Sequence, residues 1–160
     1  MKITFITTGG TIDKIYFDQT SEFQIGDPQI GEVLKEANVT FEYMIQPLMR
    51  KDSLQLTDAD RQLIFEAVAA ATTRHVVITH GTDTMALTAE TLRAIPDKVV
   101  VLTGAMQPVR FRLTDAVFNI ASAVIAVQLL PDGVYIAMNG HIFEAGHVRK
   151  NAARRQFEST

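Results

Sequence analysis

Three short segments of this sequence place hydroxyl groups beside glycines: Thr7-Thr8-Gly9-Gly10-Thr11, His80-Gly81-Thr82-Asp83-Thr84 and Thr103-Gly104-Ala105-Met106. Each follows an apolar, β-branched run and so reads as a loop leaving the end of a buried strand. A glycine pair there lets the backbone approach a ligand and can present the next side chain from a strained turn, as a nucleophile requires. Thr82 and Asp83 stand where a helix opens near Thr84. A hydroxyl beside a carboxylate at a helix start can hold an ammonium through Asp83 while backbone N–H groups face an anion, which is what a zwitterionic amino acid needs. The plainer alternative, that one of Thr82, Asp83 or Thr84 is only a helix cap, stays open at this point.

Other chemistries fit less well. Glycine-rich loops after strands also cradle phosphates, but neither G-x-G-x-x-G nor a lysine following the glycines in the Walker manner is present. Gly9 and Gly10 as turn formers alone are the bland reading. His75 and His80 lack further ligands at metal spacing, and His141 and His147 around Glu144 match no zinc helix, so no metal site is expected and these histidines are read as solvated or hydrogen-bonded. Cysteine is absent, which excludes thiol catalysis and disulfides. Fifteen Lys and Arg against eighteen Asp and Glu give no electrostatic reason to expect nucleic acid. The basic run Arg149, Lys150, Arg154 and Arg155 reads, at its distal arginines, as a solvated tail. No apolar run approaches the ~20 residues of a membrane span, and the short apolar stretch Ile3 to Ile6 is too brief for a signal sequence.

The elements that must position these loops follow from periodicity. Apolar runs over 2–8, 41–48, 75–79, 98–103 and 134–139 predict strands covered on both faces. Helical patterns fall between them at 28–37, 58–71, 84–94 and 114–128. Thr57 with Asp58 and Asp60 gives the second helix a capping hydroxyl and early negative charge. Residues 21–28 and 130–133 read as ordinary loops or turns, and the 13–26 segment as a loop of the lid type. Alternating strands and helices predict one α/β domain over residues 1–160, a doubly wound, mostly parallel sheet in a Rossmann-like three-layer arrangement. In such sheets ligands bind beyond the carboxyl ends of the strands, where the three hydroxyl-rich loops lie.

Taken together, Thr8-Gly9-Gly10-Thr11-Ile12 and His80-Gly81-Thr82-Asp83-Thr84-Met85 resemble the two signature segments of the bacterial-type L-asparaginases. Lys51-Asp52-Ser53, Leu102-Thr103-Gly104-Ala105-Met106-Gln107-Pro108, Asp115 with Phe118-Asn119, and Gly146 to Lys150 follow in family order. The resemblance is to the N-terminal domain of a two-domain family and covers nearly the whole chain, as in short-chain asparaginases. It implies an amidohydrolase acting on L-asparagine, with L-glutamine as the other small amide, in the cytoplasm, without cofactor, and assembled as a homo-oligomer, a dimer or tetramer. It assigns Thr11 as the nucleophile, and Thr82, Asp83 and Lys150 as the second catalytic group. Ser53 would take the substrate's α-carboxylate and Asp83 its α-amino group, with Gly10 and Ala105 also lining the substrate pocket. A threonine hydroxyl needs a base or a nearby positive charge to attack an amide, and Lys150 is suited to supply either.

Two departures accompany this resemblance. The family's activating tyrosine falls on Phe23, which has no hydroxyl; Tyr16 stands in the same loop. The family's C-terminal domain, which covers the site, has no counterpart, and Leu54 is apolar where some relatives have a polar substrate contact. A domain that binds an amino acid without turning it over, or a nucleotide-binding interaction domain, are the alternative readings.

Overall fold

The computed structural model describes residues 1–160. In chain order its elements are β1 (Lys2–Thr7), β2 (Lys14–Phe17), β3 (Glu22–Ile25), α1 (Ile30–Glu36), β4 (Glu42–Pro47), α2 (Asp58–Ala70) and β5 (His75–Thr79). These are followed by α3 (Met85–Leu92), β6 (Val99–Thr103), α4 (Ala116–Leu129), β7 (Gly133–Met138), β8 (His141–Glu144), β9 (Val148–Asn151) and β10 (Gln156–Ser159). Single 3-10 turns lie at Thr11–Asp13 and Ser53–Gln55.

The main sheet has the order β4-β1-β5-β6-β7-β8, parallel except for β8, which runs antiparallel to β7. Its central strands are near-continuous apolar runs because both faces are covered. On one face Ile6, Ile78 and Leu102 pack with Ile64 and Val68 of α2 and with Met85 and Leu92 of α3. On the other, Phe5, Val77 and Val101 pack with Leu34 of α1 and with Ile120 and Val127 of α4. The three layers of the expected doubly wound fold are therefore present. Helix α2 begins where its sequence says it should: the Thr57 hydroxyl accepts from the Asp60 N–H and the Asp60 carboxylate accepts from the Thr57 N–H, a reciprocal cap.

The order in which strands are added reverses beside β1. The chain passes first outward to β4 and then back across β1 to β5 on its other side. Thr7, Thr79 and Thr103 are in register across β1, β5 and β6, so the three hydroxyl-rich loops leave one sheet edge at one level. A switch point of this kind leaves a crevice at the carboxyl ends of the two strands on either side of it, here β1 and β5.

The structure corrects several expectations. Strand and helix do not alternate throughout: after α4 the chain forms only β7 to β10, with β9 and β10 paired as an antiparallel hairpin. The 13–26 segment is not a loop but a second hairpin, β2–β3, and part of the 21–28 segment expected as loop is strand β3. Both hairpins are short, with at most one buried residue per strand, and periodicity over four residues is too weak a signal to show them. Arg154 and Arg155 are not a free tail. They form the tight turn between β9 and β10, with Arg155 in the left-handed region at φ 52° and its guanidinium donating to the Met106 carbonyl at 3.4 Å.

Leu102 is fully enclosed in the middle of the sheet. Leu102→Ala is expected to destabilise the fold by about 2–5 kcal/mol, read as a lower midpoint in urea with an unchanged slope.

Candidate active site

The backbone at the end of β1 sets the site. Gly10 has φ 89° and ψ −176°, and a Cβ placed on it would lie 2.5 Å from both the Cα and the N of Gly81. Gly9, at φ 96°, is pressed in the same way against the backbone of Lys51. These are turns only glycine adopts without strain, and here they also allow backbone to touch backbone. Thr11 and Thr82, the residues that follow Gly10 and Gly81, thus start from adjoining points of two different loops. Thr11 opens the 3-10 turn and is half-buried, while Thr82 is buried.

Lys150 reaches the second loop from β9. Its Nζ donates to the Thr82 Oγ1 at 2.7 Å and to the Asp83 Oδ1 at 2.5 Å. The Thr82 hydroxyl is thereby an acceptor from an ammonium, and its own proton points toward the soft Met106 sulfur at 3.9 Å. The lysine is largely shielded, with 17% of its side chain exposed, whereas the carboxylate of Asp83 is 42% exposed. The pair therefore has one end in the protein and one in solvent, which places a negative charge at the mouth of the site.

Ser53 is bound to the same loop from the other side. Its hydroxyl accepts from the Asp83 N–H at 3.2 Å, and its carbonyl accepts from the Thr84 hydroxyl at 2.8 Å. Because Ser53 Oγ is an acceptor in this pair, its own proton remains available to an incoming carboxylate. Thr84 occupies the N-cap position of α3 but spends its hydroxyl on Ser53 rather than on the helix. Of the three cap candidates, none caps through its side chain.

The third loop is fixed by α4. Asp115 accepts from the N–H groups of Met106 and Gln107 at 2.9–3.0 Å, and Asn119 donates to the Gly104 carbonyl at 3.0 Å. Ala105 is buried between them. The sequence alone does not show these roles of Asp115 and Asn119; their i, i+4 spacing at a helix start after a strand-end loop is the available signal. His80 is fully buried and holds the second loop, with Nδ1–H donating to the Gly81 carbonyl at 2.7 Å and Nε2 2.9 Å from the Thr88 hydroxyl. Burial keeps it neutral, drawing its pKa down to about 4. No group of three or more His, Asp or Glu is disposed to hold a metal ion.

The family model described as "Asparaginase, N-terminal" matches residues 2–159. The chain belongs to the asparaginase family. It is 29% identical over 158 residues to an L-asparaginase of Thermococcus kodakarensis, covering 94% of this chain and 48% of that protein. A 69-residue stretch, 42% of this chain and 16% of the other, is 44% identical to one subunit of the glutamyl-tRNA(Gln) amidotransferase of Methanococcus vannielii. The fold overlays the structure of a probable cytoplasmic L-asparaginase from Campylobacter jejuni with a TM-score of 0.84 and 32% identity, over 99% of this chain and 52% of that one. The chain spans about half the length of the asparaginases it matches.

One buried carboxylate borders the site without belonging to the expected set. Asp13 closes the 3-10 turn that begins with Thr11; its N–H donates to the Gly10 carbonyl, and its own carbonyl accepts from Gly26 at the base of the β2–β3 hairpin. Its side chain accepts from the Gln29 N–H at 2.9 Å, just before α1. Burial raises its pKa to about 6, against the opposing pull of the Gln29 N–H and the Arg50 guanidinium. The folded state then binds this proton more tightly than the unfolded chain. Stability from this group is fully present below pH ~4 and is lost as pH rises through about 6, by roughly 2–3 kcal/mol. Asp13→Asn keeps the acceptor for Gln29, so its stability curve in urea from pH 4.5 to 7.5 is expected to lack this decline. Parallel curves for the two proteins would show that Asp13 does not titrate in this range.

Proposed function

We propose that this domain hydrolyses the side-chain amide of L-asparagine to L-aspartate and ammonia, with Thr11 as the nucleophile. The observation that carries the reading is the Lys150 ammonium bonded to both the Thr82 hydroxyl and the Asp83 carboxylate, on a loop whose backbone abuts the turn bearing Thr11. Ser53, with a free hydroxyl proton, takes the substrate's α-carboxylate, and the exposed oxygen edge of Asp83 takes its α-amino group. Gly10 and Ala105 supply close backbone around the amide.

Thr11 Oγ then attacks the amide carbon, and its proton passes to the leaving nitrogen through groups that include Thr82 and Lys150. Backbone N–H groups near Gly10 and Thr11 stabilise the oxyanion. The C–N bond breaks, ammonia departs, and water cleaves the threonyl ester, restoring the Thr11 hydroxyl and releasing the acid. No cofactor or metal takes part. L-Glutamine, longer by one methylene, is the second substrate in this reading. The same reading treats residues 1–160 as one catalytic domain, places it in the cytoplasm and assembles it as a dimer or tetramer. No helix is long and apolar enough to cross a membrane, and a structural relative is a probable cytoplasmic L-asparaginase.

A second reading, an amino-acid-binding domain, draws on the exposed carboxylate of Asp83. Ammonia release from L-asparagine separates the two. Turnover is expected, with Thr11→Ala, Thr82→Val and Lys150→Met each lowering it by about 10³-fold or more, as for members of one catalytic unit. Thermal stabilisation by L-aspartate with no ammonia released would instead establish the binding domain.

Activation of Thr11 yields a separate prediction. Tyr16 lies directly across the hairpin from Phe23, on the same face, with ring centroids 5.3 Å apart. Its phenol is therefore one strand away from the place where the family has a tyrosine. Tyr16→Phe is expected to lower kcat by about 10²-fold or more with little change in KM, the signature of a lost proton-transfer group. An unchanged kcat would leave activation to the Lys150 side of the site.

A further inference from the structure

The turn that carries Thr11 has little to hold it from within. It is a single 3-10 turn, Thr11–Asp13, closed by the Asp13 N–H on the Gly10 carbonyl and the Lys14 N–H on the Thr11 carbonyl. Turns of this kind have poor hydrogen-bond geometry and form only short pieces. Its shape is fixed from outside, by a closed ring of hydrogen bonds. The Ile12 carbonyl accepts from the Val109 N–H at 3.1 Å. Next along the chain, the Arg110 Nε–H donates to the Gln29 side-chain carbonyl at 2.9 Å. The Gln29 N–H, just ahead of α1, donates to the Asp13 carboxyl at 2.9 Å and so returns to the turn. Gln29 also donates through Nε2 to the Asp27 carbonyl at 2.6 Å, which keeps its amide from rotating. Ile12, Asp13 and Gln29 are all buried.

We infer that Asp13 and Gln29 are positioning residues for Thr11: the ring they close holds the turn, and with it the nucleophile's hydroxyl, in the geometry for attack. This rests on the reading of Thr11 as the nucleophile. Both residues act through the backbone of the turn rather than on the substrate. The residue type at 13 supports a role beyond folding. Asparagine there would offer Gln29 the same acceptor with no ionisable group, whereas an enclosed carboxyl costs stability whenever it is charged. A costly titratable group kept beside a candidate nucleophile is the pattern of a functional site.

The charged side chains around Asp13 do not offset that cost. Arg50, from the loop after β4, pairs with Asp27, and Lys14, next along β2, pairs with Asp52. Arg110 stands behind Gln29. Despite the pull of Arg50 the carboxyl titrates at about 6. Once ionised it has the Gln29 N–H as its one hydrogen-bond donor, and the ring must deform to hydrate the charge. A displacement of ~1 Å at an attacking atom costs about 10²-fold in rate. The ring is therefore tightest below the pKa of Asp13 and loosens as pH rises through it.

Ammonia release from L-asparagine by the full chain tests this. Dividing the wild-type kcat by that of Asp13→Asn at each pH cancels the other titrations of the site. The quotient is expected to fall about 10-fold between pH ~5 and ~7.5, centred at about 6, while the quotient of KM values stays level. Asp13→Ala is expected to lose about 10²-fold in kcat at every pH, and Asp13→Asn, which keeps the acceptor for Gln29, to rescue the rate on the acid side. Arg110→Leu opens the same ring from an exposed position. It is expected to lower kcat about 10-fold and to add nothing to Asp13→Ala, since both changes break one ring. A kcat quotient flat with pH, or losses that multiply in the double variant, would overturn the inference. Thr11 also gives a reading that needs no turnover. With carbon-13-labelled threonine, its methyl resonance, identified by its loss in Thr11→Ala, is expected to shift with pH about a midpoint near 6 in the wild type and to stay still in Asp13→Asn. Should the wild type release no ammonia, the proposed reaction fails and this resonance decides: a Thr11 methyl indifferent to pH across the range excludes Asp13 as its support.

Discussion

The contact on which the site depends is backbone against backbone. Gly10 touches Gly81 at a distance that no side chain permits, and Gly81 in turn is pressed against Ser53. Three loops from separate parts of the sequence are thereby held at one point, with only the small Ser53 side chain set against the bare Gly81 backbone. This is a different use of glycine from a flexible hinge: the missing Cβ is the space into which the neighbouring loop fits. The parallel register of β4, β1 and β5 brings the strands that lead into these loops to the same level, and the reversal of strand order beside β1 opens the crevice they line.

Around that contact a set of supporting groups removes freedom from each loop. His80 orients the Gly81 carbonyl from inside the core, Asp115 binds two successive N–H groups beyond Ala105, and Thr84 ties its loop to Ser53. Their work is to hold the side chains of the candidate site still, and geometry fixed in advance is a large part of what an active site contributes to rate. Lys150 is the exception in origin, arriving from an exposed hairpin late in the chain rather than from the sheet edge. Its position depends on Val148 and Phe157 anchoring that hairpin to the core.

How much of this is legible in the sequence follows from the strength of each local signal. The five main strands and four helices are readable because burial on both faces makes long apolar runs and because α2 carries an explicit cap; their limits differ from expectation by one or two residues. The loops Thr7–Thr11, His80–Thr84 and Thr103–Met106 are readable as a candidate site because hydroxyls and glycines are unusual at buried strand ends. The hairpins at 14–25 and 148–159 are not, since four-residue exposed strands owe their form to what they lie against. For β2–β3 this is Phe111, set edge-to-face against Phe23 with ring centroids 5.4 Å apart. Arg155 escapes a local reading for the same reason: its bond to Met106 is tertiary and leaves no trace in its neighbours. Asp13 gives no signal at all, because an aspartate after a turn is ordinarily exposed, and only the folded chain shows it buried against Gln29.

The solvent exposure of the Asp83 carboxylate sets the physical condition for the proposed reaction. Two unit charges ~4 Å apart interact by about 1 kcal/mol in water and about 4 kcal/mol where the effective dielectric constant is ~20. With the Asp83 carboxylate 42% exposed, the field that Lys150 and Asp83 exert on a bound amide lies toward the weaker of these limits. Binding a zwitterion tolerates that, since in the proposed pose Ser53 and Asp83 would hold its charged groups by hydrogen bonds, which weaken less with solvent than a long-range field does. Stabilising an oxyanion does not, because the difference of about 3 kcal/mol between the two limits amounts to a factor of about 10² in rate for each charge concerned. The β2–β3 hairpin, whose base is tied by the Gly26 N–H to the Asp13 carbonyl, starts beside the 3-10 turn of Thr11. In the proposed reaction, a hairpin docked over the site to exclude water would contribute on the same scale as a residue that touches the substrate.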